Sequence, residues 1–394
     1  MSQTEVVILS ARRTPIGAFQ GVLAPVTAPQ LGAVAAKAAV QAAGIAAADV
    51  QEVILGCVLP AGLGQAPARQ AAIAAGIPLA TPATTINKMC GSGLKAVMMA
   101  ADQIRAGNAS VVLAGGLESM TNSPYLLPKA RSGYRMGHGE VLDHMFFDGL
   151  QSPFDGKLMG CFADATSAKY RFSREDQDAF ATESVRRALR AVESGAFDAE
   201  IAPVTVKGRK GEIVVARDET PGTCDISRIP SLKPAFGKDG TVTAASSSSI
   251  SDGAAALVIA SAEAASARGL TPVARILAQA SHAQEPEWFT TAPVGAIRKV
   301  LTQLGWKPHD ADLYEVNEAF AAVTMAAMRE IDIDHSRVNV DGGACALGHP
   351  IGATGARILT TLLHALRRRG GRRGIASLCI GGGEAVAVAV ELIG

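Results

Sequence analysis

No stretch of this chain offers the roughly 18 consecutive apolar residues of a membrane-spanning helix, so no membrane association is expected. Near the start there is only a short apolar run, Val6 to Leu9. It is too brief for a secretory signal and reads better as a strand. Neither sign of charge is in excess: 37 Lys and Arg face 36 Asp and Glu. That balance argues against a nucleic-acid binder, whose footprint is basic. Aromatic residues make up only 4% of the chain while glycines number 41. Close backbone approaches, rather than large rings, must therefore shape the interior. The six cysteines, at 57, 90, 161, 224, 345 and 379, never form a Cys-x-x-Cys pair. This excludes a disulfide scaffold and the common zinc and redox motifs; no metal site is expected, and a reducing, cytoplasmic compartment is. Gly381-Gly-Gly383 lacks the spacing of a dinucleotide-binding turn.

What is present is α/β patterning over 394 residues, enough for two or three domains. Short β-branched runs alternate with Ala-rich segments of helical period. Val6–Ser10, Val53–Leu55 and Val111–Leu113 are echoed by Val273–Leu277, Leu313–Val316 and Ile375–Leu378. Between them, Ala28–Ala43 and Val294–Leu304 both read as helices that lead through a glycine, Gly44 or Gly305, to the next strand. Cys90-Gly-Ser-Gly93 and His349-Pro-Ile-Gly352 each open a helix that leads to a glycine-rich strand end. The chain thus reads as a duplicated βαβ unit. Residues 1–120 with 246–270 form the first half and residues 271–394 the second. Residues 121–245 form an insertion, read as a lid or a ligand-holding subdomain, with one clear helix, Arg174–Glu193, capped by Ser173.

Chemistry concentrates at four places. Cys90 lies at a strand-to-helix turn, where backbone N–H groups and the helix dipole favour a thiolate. Of the seven histidines, only His349 sits in a dense glycine run before a helix. The duplication gives it the position that Cys90 has in the other half, and Cys with His is a nucleophile–base pair. Cys379 ends a strand before three glycines, as an acid/base or as a core thiol. Asn317 follows the strand Leu313–Val316, as a holder of an oxyanion or water or as a plain N-cap. Arg186, Arg187 and Arg190 read as surface cations of an amphipathic helix.

These motifs, with Ser10-Ala-Arg-Arg-Thr-Pro-Ile-Gly17, Gly115-Gly-Leu-Glu-Ser-Met120, Asn317-Glu-Ala-Phe320 and Gly348-His-Pro-Ile-Gly-Ala-Thr-Gly-Ala-Arg357, resemble the thiolase family over nearly the whole chain. The resemblance implies a layered αβαβα core and an acyl-CoA C-acyltransferase without a tightly bound cofactor, taking acetyl-CoA and coenzyme A as substrates. Cys90 would carry the acyl group, His349 would activate it, and Cys379 would remove the α-proton of the second acetyl-CoA. Asn317, through a water, and His349 would form one oxyanion hole; the N–H groups of Cys90 and Gly381 would form the other. Met159, Phe236, Ala244, Ser248, Ala319 and Phe320 would contact coenzyme A. Members are usually homodimers or homotetramers. A decarboxylating ketoacyl synthase, which pairs Cys with two His or His and Asn, and a non-catalytic coenzyme A binder are the alternatives; Cys379 favours thiolase.

Two departures stand out. Where thiolases that prefer acetoacetyl-CoA usually carry Tyr-His-Met-Gly, this chain has Lys157-Leu-Met-Gly160, with Leu158 in place of the histidine. The usual Ala-Gly-Asn-Ala-Ser-Gly loop is Ala244-Ala-Ser246-Ser-Ser-Ser249. Weaker binding of acetoacetyl-CoA and tolerance of longer acyl chains are expected from both.

Overall fold

The computed structural model describes residues 4–208 and 211–393. The chain begins with β1 (Val6–Arg13) and the short β2 (Gly17–Ala18). It continues through α1 (Ala28–Ala43), β3 (Glu52–Gly56), α2 (Pro67–Ala74), β4 (Ala83–Ile86), α3 (Ser92–Arg105) and β5 (Val111–Ser119). Two small hairpins follow, β6 (Tyr125–Leu126) with β7 (Leu142–Asp143) and, beyond α4 (Met159–Tyr170) and α5 (Arg174–Glu193), β8 (Val204–Gly208) with β9 (Gly211–Val215). Next come β10 (Ser251–Ser261), α6 (Ala262–Ala267), β11 (Ala274–Ala283), α7 (Ala292–Leu304) and β12 (Leu313–Val316). The chain closes with α8 (Ala321–Ile331), α9 (Ala344–Leu347), α10 (Thr354–Arg369), β13 (Arg373–Ile380) and β14 (Glu384–Leu392).

The sheet order, β12-β13-β14-β11-β1-β10-β5-β3-β4, reads as a duplication. Outward from the β1–β11 contact, each half runs antiparallel, antiparallel, then parallel. The sequence is β1-β10-β5-β3 on one side and β11-β14-β13-β12 on the other. Within the sheet, β1 and β11 join the two halves through Val7 with Arg275 and Ile8 with Ala274. The repeated helices stop by the same device: α1, α7 and α10 end at Gly44, Gly305 and Gly370, all left-handed.

The middle layer is α3 and α10. One apolar cluster takes residues from both helices and from both halves of the sheet, among them Ile8, Leu94, Ile259, Leu359, Leu378 and Val388. The outer face of the first half packs on α1 and α2, and that of the second on α7 and α8. The helices of the middle layer nearly touch, since a Cβ added to Gly355 would lie 2.3 Å from Leu94 N. This is the layered arrangement that the resemblance implied.

Charge ties the segment between β5 and β10 to β1. Arg13, fully buried at the end of β1, donates from Nε to Glu200 Oε1 (2.5 Å) and in a fork to both oxygens of Asp218 (2.7 and 2.9 Å). Ser173 caps α5 through reciprocal bonds with Asp176 (3.0 and 2.9 Å). Arg187 is not the free surface cation expected: its Nη1 donates to Val338 O (2.7 Å) and His335 O (3.1 Å), joining α5 to the second half.

Candidate active site

Cys90 sits in a tight turn between β4 and α3. Met89, just before it, takes a left-handed conformation (φ 45°), which a residue with a side chain adopts at a cost of about 1–3 kcal/mol. Ser92 braces the turn, donating to Met89 O (2.7 Å) and accepting from Lys88 N (2.8 Å). The thiol is half-buried, with the backbone N–H groups of Gly381 and of Cys90 itself favouring its charged form. These two backbone groups, one from each half of the fold, pull the thiol's pKa down.

These donors do not make it a resting thiolate. Burial pushes the Cys90 thiol up to about 11, against the pull of the two N–H groups. The low pKa expected from the helix end is therefore not found: removal from water outweighs the dipole. Cys379, fully buried at the end of β13, is pushed well above its usual range by burial and then by the neighbouring charge of Cys90. The two thiols are electrostatic neighbours.

His349 is almost fully buried, and its tautomer follows from its partner. Nδ1 lies 2.6 Å from Thr354 Oγ1, and that hydroxyl donates its one hydrogen to Pro350 O (2.9 Å). Nδ1 must then carry the proton, leaving Nε2 with a free lone pair. Nε2 has no partner among the described residues. Burial and the Arg357 charge depress the imidazole to about 3, so it is neutral and able to accept a proton.

The two halves meet by a knob and socket. The turn after His349 pushes Gly352 into the first half, where a Cβ on Gly116 would lie 2.0 Å from Gly352 O. Glu118, fully buried at the end of β5, grips the knob. Its carboxylate accepts from Gly352 N (2.8 Å), Val58 N (2.9 Å) and Leu59 N (3.1 Å). On the other side His349 N donates to Ser249 O (3.0 Å).

His349 opens onto a cavity of about 190 Å³. Of the residues expected around coenzyme A, Met159, Phe236, Ser248 and Phe320 line it, together with Leu158. Ala244 and Ala319 do not: Ala244 is exposed, and Ala319 is buried with its carbonyl accepting from Ser248 N (3.0 Å) and Oγ (3.1 Å). The serines of the loop bond mostly within the loop, with Ser246 Oγ accepting from Thr243 N (2.9 Å) and Ser247 Oγ donating to Thr243 O (2.7 Å). Asn317 is not an N-cap, since α8 begins only after Phe320. Both polar atoms of its buried amide lack a partner among the described residues. Gly381 follows β13 within ordinary contact of Met159, its Cβ position 3.6 Å from the sulfur. Among the described residues no cluster of His, Cys, Asp or Glu could hold a metal ion, and no helix is long and apolar enough to cross a membrane.

Residues 6–263 match the family model of the thiolase N-terminal domain, and residues 270–392 match that of the thiolase C-terminal domain. The chain belongs to the thiolase family. It is 50% identical over 390 residues to an acetyl-CoA acetyltransferase of Cupriavidus necator, covering 98% of this chain and 99% of the relative. To the acetyl-CoA acetyltransferase of Escherichia coli it is 50% identical over 387 residues, covering 98% of each. The crystal structure of the Bacillus anthracis acetyl-CoA acetyltransferase superposes with a TM-score of 0.97 at 44% identity, covering 99% of both chains.

Sequence reasoning missed two residues that hold this thiolase site in shape. Thr354 was visible only as part of a glycine-rich motif, yet it sets the His349 tautomer. Glu118 was visible only as the acid in Gly-Leu-Glu-Ser. An acidic residue at the end of an otherwise apolar, glycine-rich strand is a signal that could have found it, because a buried carboxylate must be met by donors.

Proposed function

We propose that this thiolase is an acetyl-CoA C-acetyltransferase, condensing two acetyl-CoA to acetoacetyl-CoA and coenzyme A, and running the reverse thiolysis. The observation that carries this reading is a buried, neutral His349 with a free Nε2, on a turn whose Ile351 belongs to the apolar cluster against which Cys90 packs. His349 takes the Cys90 proton as the sulfur adds to the thioester carbonyl, and the Cys90 and Gly381 N–H groups receive the oxyanion. Coenzyme A leaves with the Cys379 proton, so Cys379 becomes a thiolate, His349 keeps its proton at Nε2, and Cys90 keeps the acetyl group. Cys379 then removes the α-proton of a second acetyl-CoA. The enolate oxygen is met by His349 and by a water on Asn317, whose unpartnered buried amide supports such a water. The enolate carbon attacks the acetyl-Cys90 carbonyl and releases the sulfur, which takes its proton back from His349.

Met159, Phe236, Ser248 and Phe320 contact the pantetheine arm in this reading, with Ala244 and Ala319 at its margin. The three-part division into residues 1–120 with 246–270, 121–245 and 271–394 remains our proposal. A homodimer or homotetramer is supported by β4, which forms an outer edge of the sheet, and by the exposure of Tyr125 (69%), Met136 (96%) and Phe154 (69%) in the insertion. Six free cysteines support the cytoplasm as the compartment.

The test is labelled acetyl-CoA. Wild type is expected to gain one acetyl group on Cys90 with release of coenzyme A, and Cys90→Ser to gain none. Cys379→Ala keeps that burst but loses condensation and deuterium exchange into the acetyl methyl. Label persisting on another residue in Cys90→Ser would defeat the reading.

A further inference from the structure

Two charged residues stand inside the motifs that supply the chemistry and have no role in the acyl transfer described above. Lys88 lies two residues before Cys90, and Glu384 lies three residues after Gly381. The fold brings them together across the boundary between the halves: Lys88 Nζ donates to Glu384 Oε2 (2.5 Å). Neither side chain has another partner among the described residues. With side chains 24% and 37% exposed, such a pair adds little to stability. What matters is what its two backbones carry.

The Lys88 backbone is locked into the turn that bears the nucleophile. Its N–H donates to Ser92 Oγ (2.8 Å), and its carbonyl accepts from Gly91 N (3.0 Å). Glu384 is the first residue of β14 and pairs with Ile380 on β13 and Ala283 on β11. Ile380 and Glu384 thus close the hairpin whose turn is Gly381-Gly-Gly383. That turn is held at its far end, where Gln284 N donates to Gly383 O (2.8 Å). Its crown is not held by packing: a Cβ on Gly382 would meet nothing within 4 Å, and one on Gly381 only the Met159 sulfur. Three successive glycines leave such a crown free to shift. The two turns touch where Gly91 lies under Ile380, with an added Cβ 2.4 Å from Ile380 Cδ1. That apolar contact limits how closely they approach but sets no direction, and the ion pair supplies one.

We infer that Lys88 and Glu384 are positioning residues for acyl transfer: their ion pair clamps the Cys90 turn to the Gly381 turn, so that the N–H groups of Cys90 and Gly381, one from each half, face the same oxyanion. The inference rests on the acyl-transfer reading above and adds to it two residues outside the reacting set. Two donors serve one oxyanion only if both lie about 2.7–3.1 Å from the place where the charge develops. A displacement of about 1 Å at such a site costs on the order of a hundredfold in rate. Because the N–H groups act on the transition state, loss of the clamp falls on kcat and leaves substrate binding in place.

The experiment measures steady-state thiolysis of acetoacetyl-CoA and the rate of Cys90 acetylation by acetyl-CoA, with the urea midpoint of each protein. The proteins are wild type, Lys88→Met, Glu384→Met, the double variant and Lys88→Arg. Each single methionine is expected to lower kcat and the acetylation rate about ten- to a hundredfold, with KM within about threefold and little change in the urea midpoint. The double variant is expected to lose no more than either single one, since both remove the same interaction. Lys88→Arg keeps the ion pair and is expected to stay within about threefold of wild type. Wild-type kcat in both single variants, losses that multiply in the double variant, or a Lys88→Arg as slow as Lys88→Met overturns the inference. So does a loss carried by KM, which would place Lys88 on coenzyme A. An acetylated wild type with unaffected variants removes this inference alone, whereas a wild type that is never acetylated on Cys90 removes the acyl-transfer reading as well.

Discussion

At the scale of single residues, the site rests as an uncharged pair. Burial holds the Cys90 thiol near 11, and burial with the Arg357 charge holds His349 near 3. Between these values neither group changes its proton, so the pair has one protonation state across the working range. Iodoacetamide reacts with the thiolate, so alkylation of Cys90 is expected to rise about tenfold per pH unit from about pH 5.5 to 9.5 without levelling, because the thiol stays mostly protonated throughout. A free thiol with a pKa of about 8.5 would level off above that pH. Glu118, which burial lifts to about 7 and which raises the thiol when charged, makes the rise slightly shallower around neutral pH. Levelling near pH 8.5 in wild type would show that Cys90 titrates as a free thiol. Cys90, His349 and Cys379 were legible because their glycine-rich surroundings repeat between the halves. The protonation states were not, because they depend on how deeply each group is buried, and a linear motif carries no depth.

At the scale of elements, Glu118 decides how the ends of β5 and β3 meet the turn that carries His349. Glu118→Gln keeps the volume but turns an amide NH2 toward backbone N–H groups that need an acceptor. Leaving buried donors unpaired costs about 1–3 kcal/mol apiece. We expect kcat to fall about ten- to a hundredfold with KM within threefold, because Gly352 shifts while the cavity wall stays. Glu118→Asp, one methylene short, should not restore it. Steady-state thiolysis measures this, and a variant with wild-type kcat would show that the knob is held by shape alone. The same scale shows where the sequence misleads. β10 and β14 are central to the sheet, yet Ala254-Ala-Ala256 and Ala385-Val-Ala-Val-Ala389 lack the continuous β-branched run that marks β1. Alanine serves there because helices pack closely on the sheet, and burial outweighs intrinsic preference. By contrast α5 was readable end to end, because its cap and amphipathic period are local features.

At the scale of the whole molecule, the halves share one middle layer, and neither keeps its apolar face covered without the other. Both tryptophans, Trp288 and Trp306, report on the second half, whereas Cys90 reports on the first. Tryptophan fluorescence, far-ultraviolet circular dichroism and Cys90 protection from alkylation are expected to change at the same urea concentration. Exposure of Cys90 well before the fluorescence change would mean that the halves separate as independent units. The seam between them has another consequence. Val273 N donates to Ile8 O (2.8 Å), and Ile393 N donates to Val273 O (3.0 Å). Beside them Arg275 pairs with Glu5 (3.4 Å) and Glu391 (3.9 Å). The earliest and latest described parts of the chain thus lie side by side against the same strand. Joining them would span little distance and close only a short loop, with correspondingly little entropic cost. The polypeptide is in effect almost a ring, so the order in which its segments are synthesised is separable from the shape they make.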